Sequence, residues 1–149
     1  MKSLFSEDAL TEINSRIASI SQEQQPKWGQ MNASQMLKHC QFPLEVALGR
    51  LQLEKPNVIK RTLFSLFKSS LYNDKPWKKS LPTAKEFIVT QDSDFDKEKA
   101  LLIKDIQDFH AKKEQTEWPP HPMFGYFTRD QWGQMQYKHL DHHLTQFEA

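Results

Sequence analysis

The chain has little of what marks several common classes of protein. A single cysteine, Cys40, stands in 149 residues, so no disulfide can close within it and a reducing, cytoplasmic setting is expected. No apolar run approaches the ~20 residues that span a bilayer as a helix. The first residues already include Glu7 and Asp8 and lack a signal peptide's apolar stretch, so no membrane partner is expected. An excess of one charge is missing too: 20 Lys+Arg against 19 Asp+Glu leave +1, which argues against a nucleic-acid partner. The one basic cluster, Lys75, Lys78 and Lys79 around Trp77, reads as a solvated loop. Strand alternation and hairpin signals are also missing. What remains is one all-α domain over residues 1–149.

Helical periodicity is plentiful. Ser6 can cap a first helix in which Leu10, Ile13, Ile17 and Ile20 form one stripe. After a polar connection broken by Pro26 and Gly29, Asn32 and Gln35 resemble a capping box. The helix they open turns Met36, Leu37, Cys40, Leu44, Ala47 and Leu48 inward. Pro56 begins a third helix with Ile59, Leu63, Leu66, Phe67 and Leu71 as its core stripe. Residues 73–91, with Pro76 and Pro82, form a connection long enough for a crossover between parallel helices. Ser93 opens a fourth helix with Leu101, Leu102, Ile106 and Phe109 as core candidates. The aromatic segment Trp118–Phe127 should pack over an end of the bundle, and Thr128 with Gln131 caps the last helix.

That last helix carries Lys138-His139-Leu140-Asp141-His142-His143. His139 and His143 are spaced i, i+4, about one turn apart on one face, where two imidazoles can reach one ion. Trp132, Leu140, Leu144 and Phe147 define the apolar side of the wheel, with His143 near its centre and His139 at its flank. His142 falls at the polar boundary, and Gln134, Lys138, Asp141 and Thr145 face outward. Two inward imidazoles are either hydrogen-bonded core residues or metal ligands, and spacing alone leaves both open. His39, on the second helix, lies at the edge of its apolar face, where Pro43 removes the N–H that would bond the carbonyl of residue 39. His110 reads as a solvated helix end and His121 as a packing residue, with a ligand or lid role as the alternative. Cys40 reads as an inert core thiol.

Three stretches, Trp28 to His39 with its Trp-Gly-x-Met and Gln-Met-Leu-x-His, His121 to Gly125 (His-Pro-x-Phe-Gly) and the terminal Lys138 to His143, resemble the DinB/YfiT-like superfamily of metal-dependent helical proteins. More closely, the chain resembles an uncharacterised DinB-like subfamily. The resemblance implies a four-helix bundle, up-down-down-up with a long crossover, plus a short additional N-terminal helix. It also implies a divalent metal, Zn or Ni foremost, held by His39, His139 and His143.

Characterised relatives in that superfamily are thiol-dependent S-transferases and a thiol-dependent isomerase. The expectation is therefore a metal-dependent enzyme acting on a small molecule, with a low-molecular-weight thiol as partner. The alternatives are a hydrolase, or a non-catalytic metal-binding or stress-related protein. Oligomeric state is left open, a homodimer included.

Overall fold

Helices begin where side chains can satisfy free backbone N–H groups, and those caps divide the chain. A computed structural model describes residues 1–81 and 83–149; Pro82, expected in the long connection, lies outside the described residues. Five α-helices and no strand are present among them: α1 (Glu7–Ser19), α2 (Ala33–Ala47), α3 (Val58–Phe67), α4 (Phe95–His110) and α5 (Arg129–Gln146). Ser6, Asn57 and Asp94 cap α1, α3 and α4 by accepting from backbone N–H groups. Asn32 with Gln35 and Thr128 with Gln131 form the two expected capping boxes, each satisfying two donors that a helix start otherwise leaves bare. No helix among the described residues is long and apolar enough to cross a membrane.

Four helices enclose the core. α1 packs on α4 and α5, and α2 packs on the same two. The side chains they bury include Ile13 and Ile17 of α1, Met36, Leu37 and Leu44 of α2, Leu102, Ile106 and Phe109 of α4, and Trp132, Leu140 and Leu144 of α5. The stripe read from the first helix is thus a wall of the core, and that helix is no appendage to it. The residues before α1 close one side: the Leu4 N–H donates to the Gly133 carbonyl at 2.9 Å. A Cβ at Gly133 would come within 2.2 Å of Ser3 Oγ and 2.5 Å of the Phe5 ring, so this position in α5 admits only glycine without a shift of that segment.

The third helix departs from expectation. Its apolar stripe was read as core, yet Ile59 is 81% and Leu66 72% exposed, and Leu63 and Phe67 are exposed as well. α3 rests on the body by its opposite side, where Phe64 meets Phe124 with ring centroids 5.7 Å apart and the Lys68 ammonium donates to the Tyr126 carbonyl. Periodicity gives a helix an apolar face but does not say what covers it. Of that stripe only Leu71, in the 3-10 turn Lys68–Leu71, packs against the core.

The aromatic segment before α5 behaves as expected. Trp118 and Phe127 are buried, and His121 and Gly125 exchange backbone hydrogen bonds of 2.8 and 2.9 Å. His110 is a correction. It is buried, with Nδ1 2.8 Å from the Leu4 carbonyl and Nε2 3.1 Å from Glu7, because the N-terminal segment covers the end of α4.

Candidate metal centre

α2 brings in His39 and α5 brings in His139 and His143, one turn apart on its inner face. One ring nitrogen from each lies within 4.8 Å of the others, and all three residues are buried, at 5%, 8% and 9% exposure. Their ring centroids are 4.7 to 5.2 Å apart. The three histidines singled out in the sequence therefore meet at one point, across 100 residues of chain between His39 and His139.

The neighbours set which nitrogen of each ring faces the cluster. His39 Nδ1 lies 2.8 Å from the Phe87 carbonyl, which can only accept, so the proton sits on Nδ1 and Nε2 presents a lone pair. His143 Nδ1 lies 2.8 Å from Gln146 Oε1. The orientation of that amide is fixed in turn, because Gln146 Nε2 donates to the Trp28 carbonyl. His143 therefore also carries its proton outward and its lone pair inward. Outer partners of this kind orient and strengthen metal-ligating imidazoles.

His139 tests whether a cation fits. Its Nε2 is 3.2 Å from His39 Nε2, close to the edge of about 3.3 Å expected for a tetrahedron with bonds of ~2.05 Å. Without an ion, one His139 proton must serve two inward lone pairs, those of His39 and His143. A cation accepts all three at once. His139 Nδ1 is buried and without a partner, so α5 places this ring by packing alone. Burial lowers the pKa of His39, holds His139 well below the usual imidazole range, and pushes His143 down to about 3. All three are kept in the neutral form that binds metal. Cys40 is not part of the cluster: it is buried, its thiol pushed up by that burial, and it lies 3.6 Å from the Met36 sulfur.

His142 and His121 take other roles. His142 is half-buried beside the cluster, its ring 5.1 Å from His143 and 5.7 Å from both Trp28 and Trp77. His121 stays outside the group of three; its ring lies against Phe124, Phe127 and Trp132, and its Nδ1 accepts from the Met123 N–H. Packing, not ligation, is what it does here.

Sequence reasoning missed Gln146 and the Phe87 carbonyl. Gln146 could have been found, since it lies three residues after His143 on the same face. Phe87 could not, because only the return of the long connection brings its carbonyl to His39. Gly29 supports the same network: it has φ +84°, and a Cβ there would come within 2.6 Å of Gln146 Nε2. Lys138 was read as part of the outer polar face. It is buried instead, its ammonium donating to the Ser70 carbonyl at 2.7 Å and to the Asn73 carbonyl and side chain at 2.8 Å each.

A helical protein with a buried cluster of three histidines is the class that fold and site define. A family model described as a protein of unknown function, DUF1569, matches residues 2–149, and the chain belongs to that family. No curated protein and no solved structure matches it.

Proposed function

We propose that this protein is a metal-dependent enzyme of the DinB/YfiT-like kind, with His39, His139 and His143 as the ligands of one divalent ion. The observation that carries the reading is the convergence of three neutral, buried imidazoles, two of them with their outer nitrogens tied to acceptors. An early-helix histidine meeting an i, i+4 pair on the last helix matches the superfamily's pattern. In this reading α1, α2, α4 and α5 are the four-helix bundle and the connection from α2 to α4 is its crossover. The added helix is then α3, carried within that crossover, and not the N-terminal one.

Three protein ligands leave a coordination position for a substrate. A divalent ion there would supply Lewis acidity, making a thiol or water a stronger nucleophile at neutral pH. The chain's part is to hold three imidazoles neutral, to aim them through Phe87 and Gln146, and to shield them from water. A thiol-dependent transfer to an electrophile is the reaction favoured, and hydrolysis the nearest alternative. The near-complete burial of the cluster favours a second reading, a non-catalytic protein in which the ion is structural.

Metal analysis of untagged protein tests the site. Near-stoichiometric metal is expected in the natural sequence, with large losses in His39→Ala, His139→Ala and His143→Ala. Full retention by any one variant removes that residue from the ligand set. Cobalt-substituted protein separates the two readings: a change in its visible spectrum on adding 2-mercaptoethanol supports an open position, and an unchanged spectrum supports a structural ion.

A further inference from the structure

We propose that the cavity beside the histidine cluster binds a small organic anion with a flat ring, the ring seated by Trp28 and Trp77 and the charge met by Lys75 and Lys79. Its role as a substrate site rests on the metal-site reading above; its affinity for the anion does not.

The cavity has a volume of about 530 Å³, within the range that holds small-molecule ligands. Five lysines line it against two aspartates. Three of the five have partners: Lys2 pairs with Glu12, Lys27 with Glu148, and Lys138 donates to the oxygens of Ser70 and Asn73. Among the described residues Lys75 and Lys79 have no carboxylate partner. Of the aspartates, Asp141 is drawn to Arg16 at 2.6 Å and Asp74 faces the Met1 ammonium at 3.3 Å. The unpaired charge facing the cavity is therefore positive.

The ring surfaces are built in. Trp77 is held by its Nε1–H, which donates to the Ser70 carbonyl at 2.8 Å. The Lys79 ammonium lies over the Trp28 ring, 4.8 Å from its centroid, and the Lys138 ammonium over the Trp77 ring at 5.6 Å. Each indole thus pairs a cation with an aromatic face, and a bound ring meets what those ammonium groups leave open. His142 lies between the two indoles. Both walls connect to the cluster, Trp77 directly and Trp28 through Gln146. The Trp77 ring is 6.1 Å from that of His139, and the Trp28 carbonyl is joined to His143 through Gln146. An anion in this cavity would be one side chain away from the three histidines.

The experiment is calorimetric titration of chelator-treated protein with 1-naphthyl phosphate, 1-naphthol and inorganic phosphate. We expect 1-naphthyl phosphate to bind at least about tenfold more tightly than either of the others, as a charged hydrogen bond and a seated ring together would give. The double variant Lys75→Gln, Lys79→Gln, altered only at exposed side chains, should lower that affinity about tenfold. It should change that of 1-naphthol, whose ring meets Lys79 only through Trp28, by less than about threefold. Equal binding of 1-naphthol, unchanged affinity in the double variant, or no binding of 1-naphthyl phosphate overturns the proposal. So does binding confined to metal-loaded protein, which would assign the anion to the metal. Because metal content is measured separately on the histidine variants, a failure of the metal site and a failure of the cavity give different results.

Discussion

α3 and α5 invert what their compositions suggest. α3 is rich in valine, isoleucine, leucine and phenylalanine and buries none of its residues. α5, with lysine, three histidines and several glutamines, buries eleven, among them Gln136, Lys138, His139, His143 and Gln146. The difference lies in partners. α5 sits between α1 and α2, and most of its buried polar groups find an acceptor or donor: Gln136 donates to the Pro43 carbonyl at 2.8 Å, Lys138 reaches three oxygens, and His143 meets Gln146. Satisfied polar groups are tolerated inside a protein, whereas apolar groups gain nothing until a surface arrives to cover them.

Removing a partner inside α5 should break this arrangement most severely. Lys138→Met keeps the length of the side chain but removes three hydrogen bonds, leaving the Ser70 carbonyl with only its Trp77 donor and the Asn73 oxygens without the ammonium. It should cost on the order of 2–4 kcal/mol in chemical denaturation. A cost below about 0.5 kcal/mol would mean that those oxygens find water, and that Lys138 is not what ties residues 70–73 to α5.

A second test concerns a buried histidine outside α5. Burial lowers His121 from 6.5 to about 4, with the Lys68 charge adding to the effect. Between these values the unfolded chain holds a proton on His121 and the folded chain does not. Stability therefore rises with pH across this window and is lost as pH falls from 6.5 toward 4. His121→Phe should flatten this part of a stability-versus-pH curve relative to the natural chain. An unchanged slope would show that the ring is hydrated in solution.

Gln146→Leu sharpens the comparison at the candidate metal site. It leaves the His143 Nδ1–H without an acceptor and frees its tautomer, so metal affinity should fall about 10–100-fold while the helical signal in circular dichroism is kept. Undiminished affinity would show that Gln146 does not orient His143. The smallest effect is expected on α3, where Leu66→Ser should change stability by less than about 0.5 kcal/mol. A larger, concentration-dependent loss would show that the outer face of α3 is covered in solution by another molecule.

Much of the candidate site was legible because it depends on local geometry. The i, i+4 spacing and the apolar side of the last helix were enough to turn His139 and His143 inward and leave His142 at the boundary. The capping boxes at Asn32 and Thr128 were readable for the same reason, since each is closed within four residues. His39 was ambiguous on its wheel and entered through the resemblance; packing of α2 against α5 is what places it. The errors are of one kind. Lys138 and His110 were read as solvated, and the stripe on α3 as buried, because each assignment depended on which distant segment lies over it.

By itself, then, the sequence determined the helices, the caps of α1, α2 and α5 and the apolar face each helix presents, since hydrogen bonds and side-chain periodicity act over a turn or two. The starts of α3 and α4 fall a residue or two beyond the expected Pro56 and Ser93. Only the tertiary structure decided which faces are covered. It set α3's apolar face toward solvent, laid residues 70–77 over Lys138, and returned the Phe87 carbonyl to His39. Burial and long-range hydrogen bonds depend on chain closure between residues far apart, which no local pattern encodes. That closure brings the three imidazoles to one point and opens the lysine-lined cavity beside them.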